Sequence, residues 1–173
     1  MVECGRSRTL FGNTAMGGAM DELDSALVQA LQSDGRRSNR DLARMLGVAP
    51  STTLERMRSL RARKVIDGVH ASVDLVALGR PVQAMITVRL RPQSRAIMHG
   101  FRDFVAALPE TLNVYVTTGF EDLLVHVAVP STDALQDFVL DSLTKRKEVS
   151  GVRTEVVFEH VRNHVVAPVR TPD

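Results

Sequence analysis

Between Ser38 and Lys64 two helix-length apolar patterns are separated by only Gly47-Val48-Ala49. A joint that short cannot let the second helix run on from the first, so the two must cross at a steep angle as a helix-turn-helix pair. The first, with Leu42, Ala43 and Leu46 on its apolar side, opens at Ser38-Asn39-Arg40-Asp41. That is a capping box: the serine oxygen accepts a first-turn N–H while Asp41 reaches back. The second opens at Pro50, where the missing N–H costs nothing, and carries Leu54, Met57 and Leu60 as its inward residues. Ahead of both, Leu23, Leu27, Ala30 and Leu31 share one face of a helix from Met20 that stops at Asp34-Gly35. Three helices on one small core predict a DNA-binding domain over 20–66.

A different period follows. Val65 to Val73 alternates loosely around Gly68, which predicts a small wing, and residues 67–81 read as wing strand and linker ending at Leu78-Gly79-Arg80-Pro81. From Val82 to Leu90 the alternation of Ala84, Ile86, Val88 and Leu90 against Gln83, Met85, Thr87 and Arg89 marks a strand with one core face. A helix with Ile97, Phe101, Phe104, Val105 and Leu108 comes next, then strands Leu112–Thr118 and Leu123–Val129 around Gly119-Phe120-Glu121-Asp122. A second helix with Leu135, Phe138, Val139 and Leu143 leads to a last strand, Val152–Val161. The order βαββαβ predicts a ferredoxin-like unit over 82–162. Its uncovered sheet face would present Met85, Tyr115, Leu124, Ala128, Val157 and Val161, too apolar to stay wet, which predicts a homodimer. The fold class is therefore α+β, a winged helix-turn-helix domain followed by a ferredoxin-like domain, with a flexible extension at 1–19 and a tail at 163–173.

Charge assigns work to the two halves. Of 22 basic and 20 acidic residues, nine basic ones fall between Arg36 and Lys64 against only Asp41 and Glu55. Beyond Lys64 the balance turns mildly acidic, and such asymmetry points to nucleic acid at the front half. No apolar run reaches the roughly 18 residues that cross a bilayer. Cys4 is the only cysteine, which excludes an internal disulfide or a cysteine zinc site and suggests a reducing, cytoplasmic setting.

Met20-Asp21-Glu22-Leu23-Asp24, Asp34-Gly35-Arg36, Ser38-Asn39-Arg40-Asp41-Leu42-Ala43, Gly47-Val48 and Pro50-Ser51-Thr52 together resemble the front of the Lrp/AsnC (feast/famine) transcriptional regulators. Arg56, Arg58 and Leu60, then Val65-Ile66, Val73-Asp74, Gly79, Gly119, Asp122-Leu123-Leu124 and Gly151-Val152 continue the resemblance through to Val161. Two positions depart from the family's usual pattern: Ala49 where a serine caps the recognition helix, and Lys64 where a glycine ends it. The resemblance implies a transcriptional regulator, not an enzyme. It implies double-stranded DNA as partner and no cofactor or metal. It further implies a small effector such as an amino acid, and assembly of dimers into octamers.

With Leu54, Met57 and Leu60 inward, the outward face of the recognition helix carries Thr52, Glu55, Arg56, Ser59 and Arg63, with Ser51 beside it. These are the base-reading candidates: Arg56 suits guanine and Glu55 suits cytosine N4. Arg36, Arg37, Arg40 and Arg58, with Ser38, are placed for the backbone. By the resemblance, Thr118, Gly119, Phe120, Glu121 and Asp122 form the effector loop, with N–H groups near Gly119 for a carboxylate and Asp122 for an ammonium. The alternative is a sirohaem-decarboxylase-like enzyme on the same architecture, with His70, His99, His126, His160 and His164 as its candidates; their spacing gives no evident shared pocket.

Overall fold

The computed structural model describes residues 20–169, so the extension expected at 1–19 lies outside the described residues. By contact the chain separates into two units, one of residues 20–71 with 161–169, the other of residues 72–160.

The first unit holds α1 (Glu22–Ser33), α2 (Asn39–Leu46) and α3 (Pro50–Ala62). Asp21 caps α1 by accepting the Asp24 N–H at 2.8 Å. Ser38 caps α2 from Asp41 N–H at 3.2 Å, and the serine hydroxyl donates to the Asp41 carboxylate at 2.5 Å. Gly47 ends α2 at φ 68°, a conformation that leaves the chain free to turn at once into α3. Leu27, Ala30, Leu42, Met57 and Leu60 form the core, flanked by Leu23, Leu31, Leu46, Val65 and Ile66. Fully burying side chains of this size stabilises by roughly 1.5–3 kcal/mol each. The separate tail expected at 163–173 instead joins this unit over its described part: the Gln32 amide donates to the Val166 carbonyl at 3.0 Å and accepts the Val166 N–H at 2.8 Å.

No wing strand forms. Residues 67–74 join no ladder, and residues 75–79 make a turn in which Asp74 accepts the Val76 N–H at 2.9 Å. A strand needs a neighbour to take its N–H and C=O groups, and no strand of the described chain pairs with this one.

The second unit runs β1 (Val82–Leu90), α4 (Arg95–Ala106), β2 (Thr111–Val116), β3 (Leu123–Val129), α5 (Thr132–Asp137) and β4 (Val149–Val156). The sheet order is β2-β3-β1-β4, all antiparallel, the ferredoxin-like arrangement. Ala84, Ile86, Val88 and Leu90 of β1 and Leu123, Val125, Val127 and Val129 of β3 pack with Phe101, Val105, Leu135, Phe138 and Leu143. α5 continues as a π-helical segment, Phe138–Thr144, whose wider spacing turns both Phe138 and Leu143 inward. β4 starts three residues earlier than the predicted Val152 and stops at Val156, because pairing with β1 begins where Leu90 meets Val149 and ends where Ala84 meets Val156.

Both departures from the family pattern sit at the ends of α3. Ala49 offers no side-chain cap, and Lys64 takes φ 56°, a left-handed conformation that costs a residue with a Cβ roughly 1–2 kcal/mol. Ala49→Ser and Lys64→Gly are each expected to stabilise the protein by about 1 kcal/mol, and Lys64→Ala to bring no comparable gain. Urea denaturation midpoints check all three.

Candidate nucleic-acid interface and sensor loop

The inward residues of α3 are Thr53, Met57 and Leu60, not the predicted Leu54, Met57 and Leu60; Leu54 is 40% exposed and Thr53 fully buried. At 100° per residue this turns the helix by roughly 30° from the predicted orientation. Ser51, Glu55, Arg58 and Ser59 point outward, with Thr52 at the edge. Arg56 and Arg63 move round to the flank that meets α1.

On that flank two arginines face two carboxylates. Asp24, 2% exposed, accepts from Arg63 Nη2 at 2.5 Å and from Arg56 Nη1 at 3.3 Å; Asp21 accepts from Arg56 Nη1 at 2.5 Å. The capped Asp24 N–H and the Arg56 guanidinium hold the Asp21 carboxyl below its ordinary pKa, and Asp21 raises that of Arg56. Arg56 and Arg63, expected to read bases, are thus engaged in fixing α3 to α1. Sequence reading missed Asp24 because a charged residue beside Leu23 looks like a solvated helix position; its signal is that it lies one turn from the core residue Leu27.

The remaining basic groups are differently placed. Among the described residues, Arg36, Arg40, Arg58 and Arg61 are exposed and make no side-chain ion pair. Arg37 lies 3.9 Å from Asp34, and Arg44 lies 3.5 Å from Asp41. Ser38 is occupied as a helix cap. Arg61 was absent from the predicted contacts and stands exposed one turn from Arg58.

In the second unit, Gly119 takes φ 128° in the β2–β3 connection, and Thr117 donates its hydroxyl to the Glu121 carbonyl at 2.9 Å. Thr118 and Phe120 are exposed, Phe120 by 77%. Arg89 gathers the loop: its guanidinium lies 3.6 Å from the Phe120 ring centre, donates to the Phe120 carbonyl at 3.2 Å and meets Glu121 at 3.3 Å. This is a cation–π contact backed by an ion pair. Asp122 does not point outward to receive an ammonium. It is 5% exposed, accepting Leu90 N–H at 2.7 Å and the Gln93 amide at 2.7 Å, with Arg91 4.0 Å away. Two donors, one on each carboxylate oxygen, leave it little capacity for a ligand.

The histidines divide. His126 and His160, which the sequence did not bring together, meet edge to face at 6.0 Å on the helix-free face of the sheet. The His126 ring lies 3.1 Å from Gln83 Oε1 and 3.4 Å from Asn113 Nδ2. Burial first, then the charge of His160, lowers the His126 pKa. His70, His99 and His164 are exposed and join no such group. Among the described residues no three His, Cys, Asp or Glu side chains are grouped to hold a metal ion.

Comparison with known proteins finds two family models along the chain. Residues 20–61 match the AsnC-type helix-turn-helix domain and residues 83–166 the Lrp/AsnC ligand binding domain. The HTH-type transcriptional regulator AldR of Mycolicibacterium smegmatis is 36% identical over 143 residues, 83% of this chain and 84% of that one. The transcriptional regulator AzlB of Bacillus subtilis is 30% identical over 154 residues, 89% of this chain and 98% of that one. Among solved structures, a Neisseria meningitidis transcriptional regulator in complex with L-Met superposes with TM-score 0.78 at 25% identity, covering 87% of this chain and 97% of that one.

Asp122→Ala strands the buried Leu90 N–H, so it is expected to destabilise the second unit by about 1–3 kcal/mol, read by denaturation. His126 has a depressed pKa when folded, so its neutral form contributes stability that is complete above about pH 6.5 and is lost as the pH falls through the lowered value. Melting temperature is expected to drop between about pH 7 and 5, and His126→Gln to flatten that fall.

Proposed function

The chain belongs to the Lrp/AsnC family of transcriptional regulators, and on that premise we propose which of its residues read DNA and which respond to an effector. It is a DNA-binding regulator and not an enzyme, so the decarboxylase alternative falls away. Among the described residues no helix is long and apolar enough to cross a membrane. A regulator working on its DNA acts in the cytoplasm.

The observation that carries the assignment is the sorting of arginines on α3, some paired inside the fold and others exposed. Ser51, Thr52, Glu55 and Ser59 face the bases of the major groove, and Arg58 stands with them. Arg36, Arg37 and Arg40, with Arg61, reach the phosphates, supplying affinity more than sequence choice. A homodimer forms through the helix-free sheet face and its margins. Tyr115, 48% exposed and paired with Leu124 on that face, supports this reading, and Phe158, fully exposed just past β4, adds apolar surface beside it. A symmetric dimer presents two recognition helices to a two-fold related site.

The effector is a small molecule, and an amino acid is the reading supported by the ligand-binding domain match and by the relative solved with L-Met. Backbone N–H groups beside Gly119 suit its carboxylate. Glu121, half-buried at the loop and shared with Arg89, replaces Asp122 as the group for its ammonium. Its binding at Thr118–Glu121 shifts dimers toward or away from octamers only if the two assemblies bind it unequally.

Fluorescence anisotropy on DNA from upstream of the protein's own gene, against a scrambled duplex over a salt series, tests this. Arg58→Ala is expected to weaken binding and reduce the log–log salt slope by about 1 if Arg58 sits on a phosphate, or to erase the preference for the true site if it reads a base. Equal binding of wild type and Arg58→Ala at every salt would remove α3 from the interface.

A further inference from the structure

The Asp21–Arg56 pair has a geometry that fixing a helix does not require. Asp24 alone, nearly buried, already ties α3 to α1 through Arg63 at 2.5 Å and Arg56 at 3.3 Å. Asp21 adds a second carboxylate on the same Nη1 atom at 2.5 Å, and this pair is open to water, the side chains being 40% and 48% exposed. An exposed pair contributes little to stability. Its effect on an anionic partner is larger. Arg56 lies four residues after Thr52 and three before Ser59, at the edge of the reading face, where helix neighbours share one surface. A phosphate approaching that edge meets a guanidinium already held by a carboxylate, and beside it the negative charge of Asp21.

Resting on the assignment of α3 to DNA, we infer that Asp21 withholds Arg56 from DNA and so sets the strength of sequence-independent binding. It trims one cationic contact from the edge of the interface, lowering sequence-independent affinity while leaving the outward residues of α3 to choose the site. Sequence-independent affinity is set by how many phosphates are neutralised, so withholding one contact weakens the hold on bulk DNA and shortens the time spent on it.

Asp21→Asn separates this role from the capping role, because asparagine is as good an N-cap and keeps an acceptor for the Asp24 N–H while losing the charge. The test is the anisotropy salt series on the cognate and scrambled duplexes with four full-length proteins: wild type, Asp21→Asn, Arg56→Gln and the double variant. Asp21→Asn is expected to bind the scrambled duplex roughly three- to tenfold tighter at low salt, with a slope steeper by about 1. Arg56→Gln alone is expected to stay within about twofold of wild type, and the double variant to lose the gain. Unchanged scrambled binding by Asp21→Asn, or a loss in Arg56→Gln as large as that of Arg58→Ala in the same salt series, would overturn the inference while leaving the DNA assignment standing. Absence of DNA binding by wild type would instead sink that assignment. Thermal melts confirm folding, and Asp21→Ser, a capping residue too short to reach Arg56, repeats the test should asparagine perturb α1.

Discussion

A carboxylate taken out of water must find positive charge or N–H groups inside the fold, and each unit of this chain is organised around one such group. In the first it is Asp24, whose two oxygens accept from Arg56 and Arg63 and so hold the angle of α3 against α1. In the second it is Asp122, which ties the end of β3's entry loop to the backbone of Leu90 and the side chain of Gln93. Removing one partner from a buried carboxylate costs far more than an exposed pair contributes. The outward residues of α3 and of the β2–β3 connection are therefore positioned by buried groups beneath them.

Arginine chemistry then divides by depth. Arg63 and Arg56 sit beside acidic groups of α1, while Arg36, Arg40, Arg58 and Arg61 project from the same small domain with no ion pair among the described residues. A net charge of +7 between Arg36 and Lys64 thus overstates what DNA would meet, because part of it is balanced from outside that stretch by Asp21 and Asp24. The same holds in the β2–β3 connection, where Arg89 is shared between Phe120 and Glu121.

The architecture was legible in sequence because it is written in periods: 3.6 over the helices, 2 over β1 and β3, with Gly47, Pro50 and Gly119 marking the turns. The phase of α3 was not, since Thr53 and Leu54 compete for the inward position and hydrophobicity favours the wrong one. Thr53 is accommodated because its hydroxyl can return to the Ala49 carbonyl, 3.4 Å away, a local contact that no apolar pattern encodes. Long-range partners were equally hidden. Nothing in the spacing of Asp24 and Arg63, or of Leu90 and Asp122, indicates that they meet. The limits of β4 depended on where β1 offers pairing, and the wing depended on a neighbour strand that the described chain does not supply.

The hydrogen bonds between Gln32 and Val166 place residues from both ends of the described chain in one unit, with the whole sensor inserted between them. During synthesis α1, α2 and α3 emerge first and can close their core, yet α1 waits for some 130 further residues before Val166 exists to pair with it. The last contact of the DNA-binding unit is therefore made only by a molecule whose sensor has already been translated. A product cut short anywhere in the sensor leaves the Gln32 amide to water, which distinguishes an incomplete regulator from a finished one at the helix that carries Asp21 and Asp24.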